Sequence, residues 1–164
     1  MKKYNKQDQR SLAIYAANCA GRVLPFFEKV YPKDDRPRKA IEVCRMWVRT
    51  GVFKISDIRG ASLAAHAAAR EAKENNAACF AARAAGQAVA TAHVPQHAFD
   101  AAYYALKAIA AANPDSGAGV KTAKEHNWQS RRLTKHLRQE FLDKVKIQKC
   151  NHGIFIKVQK GKDF

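Results

Sequence analysis

His93 and His97 stand four residues apart, the spacing that sets two imidazoles on one face of a helix for metal binding. Pro95 lies between them, so the pair straddles a helix start instead. A third ligand would have to arrive from another helix, and His66 sits on a polar stripe that predicts solvent. Capping or packing is therefore the expected role of the pair, with no metal and no cofactor. His97 with Asp100 at i, i+3, and His66 near in helix order, supply the groups of an acid–base cluster. No activated nucleophile or paired carboxylates accompany them, and the reading is non-enzymatic.

Arg83 is the most pointed single residue, because a guanidinium on an otherwise apolar helix needs a partner once it leaves water. Asp57, Glu71 and Asp100 are the candidate carboxylates for a structural ion pair; an anionic ligand or a partner's carboxylate is the alternative. A second cationic group is Arg131, Arg132, Lys135 and Arg138, expected on one helix with Lys144, Lys146 and Lys149 behind it. Such a row meets phosphates at successive turns, which makes nonspecific nucleic acid an alternative partner, while a solvated helix face is the plainer reading. Trp128 and Phe155 are the aromatics able to stack on bases, although Trp128 is better placed as an anchor to the core. No helix-turn-helix or RNA-binding signature is present.

The elements that must position these groups follow from composition. The chain has 164 residues, enough for one good core and short for two ordinary domains. Its formal charge of +16 favours attraction to acidic proteins, polyanions or anionic headgroups. That charge is uneven: fourteen basic against six acidic residues through Gly60, four against four from Ala61 to Val120, and twelve against four beyond. Residues 1–120 are thus expected to form an alanine-rich helical domain, and 121–164 a basic helix plus hairpin packed on it. Cys19, Cys44, Cys79 and Cys150 form no CxxC unit and read as free thiols. Met1 to Arg10 lacks an apolar signal core and no apolar run approaches a membrane span, so a cytoplasmic protein is expected.

Leu12, Tyr15, Ala16, Cys19 and Val23 recur at helical spacing, and Pro25 is expected to kink or end that helix before Phe26. Asp34 and Asp35 cap the next, with Pro37 in its first turn and Gly51 at its end. Ser56 or Asp57 opens a helix carrying Arg59, Ser62, His66, Arg70 and Lys73 on one stripe. Ala77 to Ala92 bears one charge, Arg83, and reads as the central, most buried helix; Val94-Pro95 begins another that Asn113-Pro114 stops. Asp115 to Gly119 reads as a loop and Trp128 to Asp143 as one amphipathic helix. Val145, Ile147 and Lys149, then Ile154, Ile156 and Val158, alternate around a turn at Cys150 to Gly153 and predict a small β-hairpin. The fold class is all-α, a compact multi-helix array of antiparallel helices with a small C-terminal β-hairpin.

Between Ile14 and Ile109 four segments, YAANCAGRVLPFFE, DDRPRKAIEVCRMWVRTG, AAHAAAREA and AARAAGQAVATAHVPQHAFDAAYYALKAI, carry a resemblance. In this order the chain resembles a family of bacterial immunity proteins associated with toxin systems. The resemblance implies an all-helical, non-enzymatic domain that binds and neutralises a cognate toxin protein. It carries Asp35, Arg36, Pro37, Arg38, Arg83, His93 and His97 over as the polar positions where the pattern is densest, and hence as partner-binding candidates. Asn18 and Gly21 stand where that pattern has acidic residues, which removes negative charge from the first helix. Inhibitors of nucleases tend to be acidic. A charge of +16 therefore points away from a nuclease as the target, or to a local acidic or neutral inhibitory patch. The basic carboxy-terminal segment lies outside the resemblance.

Overall fold

Asn5 starts the first helix by a reciprocal cap: its side chain accepts the Asp8 N–H at 2.7 Å, and the Asp8 carboxylate accepts the Asn5 N–H at 3.2 Å. The computed structural model describes residues 3–115, 117–151 and 153–159. Helix α1 (Lys6–Glu28) runs through Pro25, so of the kink or end expected there it is the end that does not occur. Proline forfeits one rung of the ladder, but it sits in the last turn, where its own carbonyl still accepts the Lys29 N–H at 3.0 Å. Val23, Leu24 and Phe27 on both sides of it are buried and anchor the turn to the core.

Helix α2 (Arg36–Thr50) begins with Pro37 in its first turn and ends at Gly51, whose φ of 70° is the left-handed geometry glycine adopts freely. Asp34, not Asp35, serves its amino end by accepting the Arg36 N–H at 3.1 Å; Asp35 pairs instead with Lys39. Helix α3 (Ile55–Glu71) follows, then α4 (Asn76–Ala90), whose first turn is capped by Asn75 accepting the Ala78 N–H at 3.0 Å. Helix α4 packs against α1, α2, α3 and α5 (His97–Ala112), and its alanines are buried nearly all round, as a central helix requires.

Beyond α5 the chain departs from the expected single amphipathic helix. It forms α6 (Ala118–Arg131) and a separate α7 (Lys135–Lys144), so Gly119 lies in a helix and not in a loop. Arg132 N–H tightens onto the Gln129 carbonyl at 3.1 Å, Leu133 is buried, and Thr134 takes an extended conformation that restarts the helix. The Arg138 guanidinium donates to the Ser130 and Leu133 carbonyls at 2.9 and 3.1 Å, filling acceptors that the end of α6 leaves open.

Strands β1 (Val145–Cys150) and β2 (Gly153–Val158) then pair antiparallel, with Val145 opposite Val158, Ile147 opposite Ile156 and Cys150 opposite Gly153. His152, in the predicted turn, lies outside the described residues. The result is an all-α array with a small hairpin. Its buried side chains form one continuous cluster from Leu12 to Ile156, in which Leu133, Leu137, Phe141 and Val145 join α1 and α5. Cys19, Cys44, Cys79 and Cys150 are free thiols.

Arg22 of α1 clamps α6. Its Nε donates to both Glu125 carboxylate oxygens, at 2.9 and 3.1 Å, and a terminal nitrogen donates at 2.9 Å. The same guanidinium lies 4.0 Å from the Trp128 ring centre, and Arg132 lies 4.9 Å from it. Glu125 is only 5% exposed while Arg22 is 45% exposed, so removing the arginine strands a buried carboxylate. Arg22→Met is expected to cost about 2 kcal/mol, below a fully buried pair because water reaches one partner. Urea unfolding checks it, and Glu125→Gln should cost less because no buried charge is left behind.

Candidate functional site

The lone glycine inside α4 seats one of the predicted side chains, around which others gather. A Cβ on Gly86 would stand 2.8 Å from His66 Nε2, so the missing side chain is the notch in which the imidazole of α3 rests. One turn earlier Ser62 Oγ donates to the Gly86 carbonyl at 3.0 Å. His66 is consequently half-buried against α4, which corrects the solvent-facing stripe expected from sequence. Periodicity located the stripe but carried no information on how deep the groove beside it is.

His93 and His97 sit on either side of the α4–α5 turn, where the Val94 and His97 N–H groups close tight backbone bonds to Ala90 and Val94 at 3.1 Å. Their ring centres are 5.5 Å apart, with His93 exposed and His97 half-buried. His97 Nδ1 reaches Asp100 Oδ2 at 3.4 Å, a loose contact. On its other flank His97 borders a groove of about 450 Å³ lined also by Gln87, Asp100, Tyr103, Tyr104 and Lys144.

Arg83 does not pair with Asp57, Glu71 or Asp100. Glu71 binds Arg36, Asp100 faces His97, and Asp57 accepts from Ser56. Among the described residues no carboxylate lies within ion-pair distance of Arg83; its guanidinium rests 5.8 Å from the Tyr104 ring centre. Arg59 and Arg70, on the same stripe of α3 as His66, are exposed. Burial, followed by the charges of Arg83, Arg70 and His97, holds the His66 pKa below its ordinary value. Burial, His97 and Arg59 lower His93 likewise.

These imidazoles are harder to protonate in the folded than in the unfolded chain, which fixes the sign of a pH effect. The penalty is absent above about pH 6.5, the ordinary histidine value, and grows as pH falls below it. Thermal unfolding between about pH 8 and pH 5 should therefore show Tm falling on acidification, with a shallower fall in Arg83→Gln. An equal slope in both proteins would remove Arg83 as a cause.

The other predicted residues do not join this cluster. Arg36 is bound by Asp34 at 2.9 Å and Glu71 at 3.0 Å, tying the start of α2 to the last turn of α3. Arg38 donates to Glu28 at 2.7 Å, and Lys39 of α2 pairs with Asp35, the residue just before that helix, on the surface. Arg131, Arg132, Lys135 and Arg138 do not share one helix: the first lies in α6, Arg132 stacks on Trp128, and Arg138 is engaged with the inter-helix carbonyls. Phe155 is half-exposed on β2 beside Lys157. Among the described residues no three His, Cys, Asp or Glu side chains converge as metal ligands, and no helix is long and apolar enough to cross a membrane.

Sequence reasoning singled out Arg83, His93 and His97 but missed the contributions of Gly86, Arg59 and the seat of His66. One signal was available: a glycine inside an alanine-rich helix costs about 1 kcal/mol against alanine, which marks a close approach.

A family model described as Imm-5 like putative immunity protein matches residues 2–136. No curated protein and no solved structure matches the chain.

Proposed function

The chain belongs to the Imm-5 like putative immunity protein family, and from that membership we propose that it binds and neutralises a cognate bacterial toxin in the cytoplasm. The family match over residues 2–136 is the observation that carries this reading. Neutralisation proceeds by occlusion: the protein covers a functional surface of the toxin and performs no chemistry of its own. The partner-binding face is the one around Arg83, His93 and His97, because all three reach solvent, Arg83 has no ion-pair partner among the described residues, and His97 holds Asp100 only loosely. Asp35, Arg36 and Arg38 brace the start of α2 through their own ion pairs.

A strongly basic chain fits an acidic or neutral target surface, and its long-range field accelerates encounter with such a surface. The groove beside His97 offers Tyr103 and Tyr104 as aromatic contact, the residue type that dominates interface energy together with arginine.

The test is co-expression with the product of a neighbouring toxin gene, paired with affinity capture from the native lysate before and after nuclease treatment. Restored growth together with a stoichiometric protein retained after nuclease is expected. Capture of nucleic acid alone, lost on nuclease treatment, would overturn the reading.

A further inference from the structure

Arg59, Leu63, His66 and Arg70 follow one another at i, i+4, i+7 and i+11 along α3, and so share one side of that helix. Leu63 is 62% exposed in the middle of this row, an aliphatic contact surrounded by cationic groups. Across the α3–α4 seam stands Arg83, and at the α4–α5 turn stand His93 and His97. Among the described residues Arg59, Arg70 and Arg83 form no ion pair, although Arg22 of α1 and Arg36 and Arg38 of α2 all do. The carboxylates at its edges are Asp100, held loosely by His97, and Glu71 beside Arg70, which Arg36 binds. Three guanidinium groups without an ion pair of their own have thus been gathered around the imidazoles.

We propose that the surface bearing Arg59, Leu63, His66, Arg83, His93 and His97 is a docking site for an acidic segment of the partner protein, carboxylates entering between the guanidinium and imidazole groups. The assignment of a protein partner rests on the immunity reading; the acidic chemistry rests on the charge pattern. Guanidinium groups donate to carboxylates in bidentate geometry, and protonated imidazoles donate to them from both ring nitrogens.

Docking on this surface is coupled to proton uptake. The groups facing the imidazoles are Arg59 and Arg70 from α3, Arg83 from α4, and His97 with Asp100 from α5. All but Asp100 repel an added proton, and a carboxylate placed among them reverses that balance. Binding therefore strengthens on mild acidification, over a range where glutamate, with an ordinary pKa of about 4.3, remains charged.

The experiment uses the full chain and an acetylated tetraglutamate peptide at fixed ionic strength, with the histidine ring signals followed by NMR. A tetraglutamine peptide and a short single-stranded DNA are run in parallel. Selective movement of His66, His93 and His97 is expected, with binding about tenfold tighter near pH 5.5 than near pH 7.5, the effect of one pKa unit. Arg83→Gln should abolish the response while its circular dichroism stays unchanged; Arg59→Gln, an exposed site that folding does not need, should weaken it several-fold.

Equal movement of His126 and His136 would reduce the effect to general polyanion attraction and overturn the site. So would binding that is flat or weaker at low pH, or DNA that displaces the peptide from the same imidazoles at lower concentration. No toxin enters this measurement. Failure here with growth protection intact overturns the acidic docking site alone, and success here without protection overturns the immunity reading alone.

Discussion

Phe141→Ala is expected to destabilise the protein by about 3–5 kcal/mol, the range for emptying a fully buried aromatic site. Phe141 has no exposed surface and is the place where the carboxy-terminal segment meets the helical array. Its ring makes an edge contact with Tyr15 of α1 at 6.1 Å between centres, lies 6.5 Å from Phe99 of α5, and 4.9 Å from His126 of α6. Four elements therefore lose contact together, and neighbours anchored in separate helices cannot collapse into the vacancy. A native state worth about 5–15 kcal/mol would keep only part of its margin. Urea denaturation measures the loss, and hydrogen exchange should show the hairpin and α7 opening before α4. A cost under about 1 kcal/mol would mean that the segment is not anchored here.

Arg83→Glu is expected to remove protection against the toxin. A central arginine anchor contributes about 2–4 kcal/mol when truncated, roughly 30- to 700-fold in affinity, and reversing its charge adds like-charge repulsion against an acidic partner. The substitution touches little of the fold, because Arg83 is half-buried over Tyr104 and has no internal ion pair to break. Titration calorimetry with the purified toxin is the check. Arg131→Glu serves as a charge-matched control on α6, away from this surface, and should reduce affinity only slightly through the long-range field. Equal losses in the two variants would mean that net charge alone accounts for the Arg83 effect.

Much of the architecture was legible because alanine and aliphatic residues recur at helical spacing with polar punctuation between them. The Asn75 cap, Gly51 and the Asn113 stop fell where local chemistry dictates, and so did the alternation of Val145, Ile147, Ile154 and Ile156. Two local expectations gave way to packing. Pro25 stays inside α1 because Val23, Leu24 and Phe27 around it are buried. The continuous apolar row from Leu133 to Phe141 hid a helix break, because burial of Leu133 and Arg138's bonds to the freed carbonyls stabilise a bend that periodicity cannot register.

The site divides along the same line. Residue type alone marked Arg83 as a cation on an apolar helix and His93 and His97 as a polar pair around a proline turn. Sequence could not decide which carboxylates would reach Arg83, since ion pairing between helices depends on their relative rotation and spacing over a few ångströms. The tertiary structure assigned Glu71 to Arg36 and Asp100 to His97, leaving Arg83 with Tyr104. It likewise turned Gly86 from a weak helix residue into the seat of His66. The helical character, the caps, the hairpin and the excess of positive charge follow from composition and from neighbours along the chain, and so could be read there. Where that charge stays uncompensated depends on how the helices pack, because counter-charges are allotted by contacts between residues far apart in sequence.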